Sequence, residues 1–148
     1  MKLNTSKIIC AALCVVFSLT SAHAAEKVEA GPRGERLLQT DAPRPEFFVE
    51  KDRTVSIAFY DASKKKVPVA AQTVSAVAEA KTGKAKLEFE TKGDLLISKS
   101  PLPEGNGYTV VVQYRATSES KPQNFRIPLN TEICGGCNRA EYACTCDE

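Results

Sequence analysis

Tyr108-Thr109-Val110-Val111-Val112-Gln113-Tyr114-Arg115 decides the fold. Successive side chains of an extended strand point to opposite sides. Tyr108, Val110, Val112 and Tyr114 therefore share one face, and Thr109, Val111, Gln113 and Arg115 the other. The run is rich in β-branched and aromatic residues, which suit a half-buried pleated surface. The same period recurs on both sides of it. Upstream, Val55, Ile57 and Phe59 alternate with Thr54, Ser56 and Ala58. Residues 72–80 are β-branched at Thr73, Val74 and Val77, which predicts a strand, with helix the alternative that its alanines leave open. Residues 85–91 read as one strand with Leu87 and Phe89 inward and Lys86, Glu88 and Glu90 outward. Residues 95–98 read as a short strand. Downstream, Phe125, Ile127 and Leu129 alternate. Lys81-Thr82-Gly83-Lys84, Lys92-Gly93-Asp94 and Gly105-Asn106-Gly107 supply turns between these runs.

Short strands separated by turn signals at intervals of roughly 8–12 residues imply an all-β fold, a sandwich or small barrel, over residues 36–129, with an antiparallel sandwich of the Ig-like kind expected. The expected core is Val55, Ile57, Phe59, Leu87, Phe89, Leu95, Ile97, Val110, Val112, Phe125 and Ile127. Residues 25–35 carry Gly31, Pro32 and Gly34 among charges and read as a flexible leader. Residues 130–148 form a cysteine-rich tail.

Ahead of the leader, Lys2 and Lys7 precede an apolar run over residues 8–19, which is followed by Ser21-Ala22-His23-Ala24. A basic start, a short apolar run and an Ala-x-Ala site make a secretory signal peptide over residues 1–24. The run is shorter than the roughly 20 apolar residues a membrane span needs, so no stable membrane anchor is expected. A periplasmic or secreted location follows. Cleavage removes Lys2 and Lys7, which takes 20 basic residues to 18 against 18 acidic ones. A neutral mature chain has no electrostatic basis for binding nucleic acid. Cleavage also removes His23 and Met1, the sole histidine and methionine. The mature chain then lacks the usual general base, and a serine or cysteine nucleophile has no imidazole to activate it. No catalytic residues are assigned, and a non-enzymatic protein is expected.

Sulfur is what remains for chemistry. Cys134, Cys137, Cys144 and Cys146 follow the pattern C-x2-C-x6-C-x-C. Two thiolates separated by two residues can grip one tetrahedral ion. Gly135 and Gly136 leave the backbone free to turn amides toward the sulfurs. A second pair closes an all-thiolate shell that suits Zn or Cu(I). The C-x-C half departs from the paired C-x2-C of common zinc knuckles and is more at home with soft metals. An exported chain also permits two disulfides, with Cys134 and Cys137 each joined to one of Cys144 and Cys146. Free or redox-active thiols are the third reading. The partner is accordingly a metal ion or an envelope protein.

Other clusters read as scaffold. Glu88 and Glu90 stand two apart beside Lys86 on an outward strand face. Lys64-Lys65-Lys66 occupies a turn. Tyr60, Tyr108 and Tyr114 are strand aromatics of the packing kind.

Gly31-Pro32-Arg33-Gly34-Glu35-Arg36-Leu37-Leu38, Glu46-Phe47-Phe48-Val49, Val55-Ser56-Ile57-Ala58-Phe59-Tyr60-Asp61 and Lys66-Val67-Pro68 together resemble the amino-terminal β domain of periplasmic adaptor subunits of heavy-metal efflux pumps. The likeness spans residues 31–129. The chain departs from that pattern at Arg33, where the family has a histidine, and at Glu35, where it has a glycine, and it has no coiled-coil hairpin or lipoyl domain. It is also similar to small secreted bacterial proteins that pair such a domain with a Cys-rich tail. The resemblance implies a β domain and metal handling at the cell envelope.

Overall fold

A computed structural model describes residues 27–146. The expected signal peptide, residues 1–24, lies outside the described residues. The described chain forms strands β1 (Glu29–Ala30), β2 (Arg36–Leu37), β3 (Arg44–Val49), β4 (Val55–Tyr60), β5 (Lys66–Val67), β6 (Thr73–Ala80), β7 (Gly83–Leu87), β8 (Phe89–Lys92), β9 (Leu95–Ser98), β10 (Tyr108–Arg115) and β11 (Gln123–Leu129). All pairings are antiparallel. One sheet has the order β1-β2-β3-β4-β9-β8, with β5 also on β4; the other runs β11-β10-β6-β7. Among the described residues no helix is long and apolar enough to cross a membrane.

The two sheets share one core. Phe47, Val55, Ile57 and Phe59 of the first meet Ala76, Leu87, Val110, Val112, Tyr114 and Ile127 of the second. Each fully buried aliphatic or aromatic side chain contributes about 1.5–3 kcal/mol of transfer free energy. The Tyr114 ring lies 5.9 Å from that of Phe59, and its hydroxyl donates to the Pro43 carbonyl at 2.6 Å. The inward face expected for residues 108–115 is the face that packs: Tyr108, Val110, Val112 and Tyr114 are all buried.

Three expectations about this body are corrected. Residues 85–91 are not one strand. The chain leaves the second sheet at Leu87 and enters the first at Phe89, so β7 and β8 belong to different sheets. A strand that bends between sheets keeps its alternation through the corner, so the pattern hides the break. In β9 the buried residues are Leu96 and Ser98, while Leu95 and Ile97 are only half-buried. Leu95-Leu96-Ile97 is apolar on both faces, and a one-residue shift exchanges the faces of a strand. Phe89 is likewise half-buried at the margin of the core.

The third concerns the leader. Glu29 and Ala30 pair with Leu37 and Arg36, and the 31–35 turn folds over the outer face of the first sheet. It sits on Glu46, a carboxylate with 0% exposure. Oε1 of Glu46 accepts the amides of Arg33 at 3.0 Å and Glu35 at 3.2 Å. A buried carboxylate needs such donors to offset its lost hydration. Gly31 is what lets the turn come this close, since a Cβ there would collide with Glu46 Oε1. The Arg33 guanidinium then lies 4.0 Å over the Phe48 ring and bonds Glu50 at 2.9 Å and Ser56 at 2.8 Å. This cover explains why all six residues of β4 are buried.

Candidate metal centre

The tail folds into a tight hairpin directly after β11. The Tyr142 amide donates to the Asn130 carbonyl at 3.0 Å and the Glu141 amide to the Glu132 carbonyl at 2.8 Å. Ile133 and Ala140 form a bridge, and the Cys134 amide donates to the Arg139 carbonyl at 2.7 Å. The hairpin turn is Cys134-Gly135-Gly136-Cys137-Asn138. Its last residue has φ of 56°, a left-handed conformation that asparagine tolerates better than most residues. A short 3-10 turn, Glu141–Ala143, then reverses the chain and returns Cys144 and Cys146 to the hairpin tip.

All four sulfurs, Cys134, Cys137, Cys144 and Cys146, lie within 4.8 Å of one another. Cys134 and Cys146 are 3.8 Å apart, and Cys137 and Cys144 are 3.7 Å apart. Metal–sulfur bonds of about 2.3 Å in a tetrahedron place sulfurs about 3.8 Å apart, so two edges of the cluster already have the required length. Cys134 and Cys144 are closer, at 2.8 Å. None of the pairs is at disulfide distance, and all four cysteines are free. The donor set fits a soft metal ion.

Backbone amides support the shell. Those of Gly136 and Cys137 point at the Cys134 sulfur. Those of Thr145 and Arg139 point at Cys137, and that of Cys146 at Cys144. Such donors stabilise thiolate and orient it. Cys137 is pulled down to about 6 by its two amides. Cys134 is also lowered, first by its bond with Cys144 and then by the amides. The same bond pushes Cys144 up to about 12. At Cys146, Cys144 lowers the value, but Cys137 and Cys134 together outweigh it and the thiol ends high. Four packed thiols cannot all ionise alone; a bound cation reverses that repulsion and holds every one as thiolate.

The tail docks on the sandwich rather than hanging from it. Tyr142 is 3% exposed and Ala143 0%, both within the main core. The Tyr142 ring meets Phe47 edge-on at 5.8 Å. Its hydroxyl accepts the Val49 amide at 3.0 Å and lies beside the Glu35 carboxylate, whose buried Oε2 has no hydrogen-bond partner among the described residues. Burial, first, and nearby Glu46 raise Glu35 above the ordinary carboxyl range, although Tyr142 opposes them. Arg139 Nη1 donates to Thr145 Oγ1 at 3.0 Å and ties the two cysteine pairs together. Tyr142, Asn138, Arg139 and Thr145 escaped the sequence reading. A lone tyrosine inside the x6 spacer was the available signal for the docking.

The remaining clusters are structural. Glu88 and Glu90 are exposed and paired with Lys99 at 3.4 Å and Lys92 at 2.9 Å. Lys64 bonds Glu29 at 2.8 Å. Tyr60, Tyr108 and Tyr114 are buried in packing. A groove of about 940 Å³ runs beside the tail between Arg33, Arg53, Ile133 and Arg139, and no cysteine lines it.

No protein-family model, curated protein or solved structure matches the chain.

Proposed function

We propose that this is an exported, non-enzymatic protein that binds one soft metal ion, Zn or Cu(I), through Cys134, Cys137, Cys144 and Cys146, and serves metal handling at the cell envelope. The observation that carries the reading is the convergence of four sulfurs within 4.8 Å on a turn whose amides face them. The sequence of the apolar start supports export, and the resemblance to efflux-pump adaptors supports the envelope. A closed shell of four thiolates has no open position for substrate, which favours holding an ion over using it in a reaction. Metal analysis of protein purified from the envelope, with thiol titration before and after chelation, tests this. One ion per chain and four thiols that become titratable on its removal support it. Metal-free protein with four freely reactive thiols ends it.

One observation favours a second reading, a secreted structural or interaction module with a disulfide-stapled tail that engages an envelope protein. Cys134 and Cys144 approach to 2.8 Å, so an oxidant meets this pair already juxtaposed. Intact mass under denaturing, non-reducing conditions separates the two, because two disulfides remove about four hydrogens.

A further inference from the structure

We infer that the sulfur shell is divided into a fixed part and a detachable one: Cys146 is the ligand that yields the ion to an incoming thiolate, and Gly136 is the residue that seats Cys146. This rests on the metal-binding reading above. Cys134, Cys137 and Cys144 each receive at least one backbone amide. Cys134 is buried in the hairpin turn, whereas Cys146 is exposed. Cys146 is held by shape. Its sulfur rests on the bare Cα of Gly136, where a Cβ meets it at 2.6 Å. A Cβ on the neighbouring Gly135 meets nothing within 4 Å. The two glycines of one turn therefore differ in kind. Gly136 is a positioning residue for the fourth ligand, and Gly135 is not.

Ligand exchange at such a shell proceeds from the exposed side. With an ion held by Cys134, Cys137, Cys144 and Cys146, an incoming thiol would lose its proton and take the place of Cys146, whose freed thiolate would take up a proton. No electrons would be transferred, and Cys134, Cys137 and Cys144 would be the residues that keep the ion. The acceptor class is therefore a thiol-bearing chelator, met at the Cys146 face.

The test uses the full chain loaded with Co(II), whose sulfur-to-metal absorption reports the number of thiolates, and dithiothreitol as the acceptor. Wild type and Gly135→Ala bind one ion with equal absorption and equal release rates. Gly136→Ala and Cys146→Ser still bind one ion, but absorption per ion falls by about a quarter and affinity by about 10- to 100-fold, with faster release. Cys134→Ser binds far more weakly than either. The inference is overturned if Gly136→Ala matches Gly135→Ala, or if Cys146→Ser loses the ion as completely as Cys134→Ser. Both outcomes leave the metal reading standing, because wild type still binds. Failure of wild type to bind Co(II) removes the metal reading and this inference together.

Discussion

The Tyr142 hydroxyl accepts the Val49 amide at 3.0 Å, joining the cysteine hairpin to the edge of the first sheet. Tyr142 lies in the six-residue spacer between Cys137 and Cys144, so the same segment that plugs the core also sets where the two cysteine pairs meet. If the four cysteines hold an ion as proposed, docking and ion binding would be linked, and linkage is reciprocal. Tyr142→Phe leaves the Val49 amide without this partner and costs about 1–2 kcal/mol. Tyr142→Ala also opens a cavity against Phe47 and costs about 3–5 kcal/mol. Denaturant titration measures both losses. Tyr142→Ala also weakens metal binding, and chelation of the wild-type protein lowers its melting temperature.

Gly31 and Glu46 form a matched pair. A Cβ at position 31 would collide with the Glu46 carboxylate, and that carboxylate is fully buried. Gly31→Ala is expected to cost about 1–3 kcal/mol through overpacking. In an Glu46→Asp background the acid is one methylene shorter, and the added methyl group costs less than in the wild type. Equal costs in both backgrounds, read from a double-mutant cycle, contradict the pairing.

Much of the body was readable because burial on one sheet face imposes a period of two. Val110, Val112, Ile57 and Phe59 could be assigned inward on that ground alone, and they are. The period fails where both faces are covered. Leu95 and Leu96 are both apolar, so nothing local says which one faces the core. Glu46 and Ser56 are polar yet buried, because the 31–35 turn returns from far along the chain to satisfy them. Contacts between distant segments leave no periodic trace. Arg33 and Glu35 have a structural account of the same kind: Arg33 pairs with Glu50 and stacks on Phe48, and Glu35 lies beside Tyr142. The sulfur donors were legible from residue type and spacing, because four thiols fall within residues 134–146. Their attachment to the core through Tyr142 was not.

The register of β9 is open to a direct check. Leu96 is 6% exposed in the main core, whereas Leu95 packs on the smaller cluster with Leu37, Ala58 and Tyr60. Leu96→Ala is expected to cost about 2–5 kcal/mol and Leu95→Ala measurably less, by chemical denaturation. The reverse order contradicts the register.

Acid should loosen the first sheet at its edge. Hydrogen bonds from Arg44, first, and Lys64 lower Glu29 from 4.5 to about 2. A carboxyl lowered in the folded state favours folding fully above its unfolded value, and the contribution is lost as pH falls through the folded one. The loss therefore falls between about pH 4.5 and 2. Glu29 is 35% exposed, so solvent screening keeps the effect small. Glu29→Gln should remove this part of the acid sensitivity while leaving the rest of the stability-against-pH curve unchanged.

Intact mass of the folded protein, recorded under native conditions with and without a chelator, bears most directly on the four-thiolate centre. The predicted result is a single added ion per chain that disappears on chelation, leaving a mass that matches four free thiols at Cys134, Cys137, Cys144 and Cys146. A chain that carries no ion and weighs about four hydrogens less than the thiol form contradicts it.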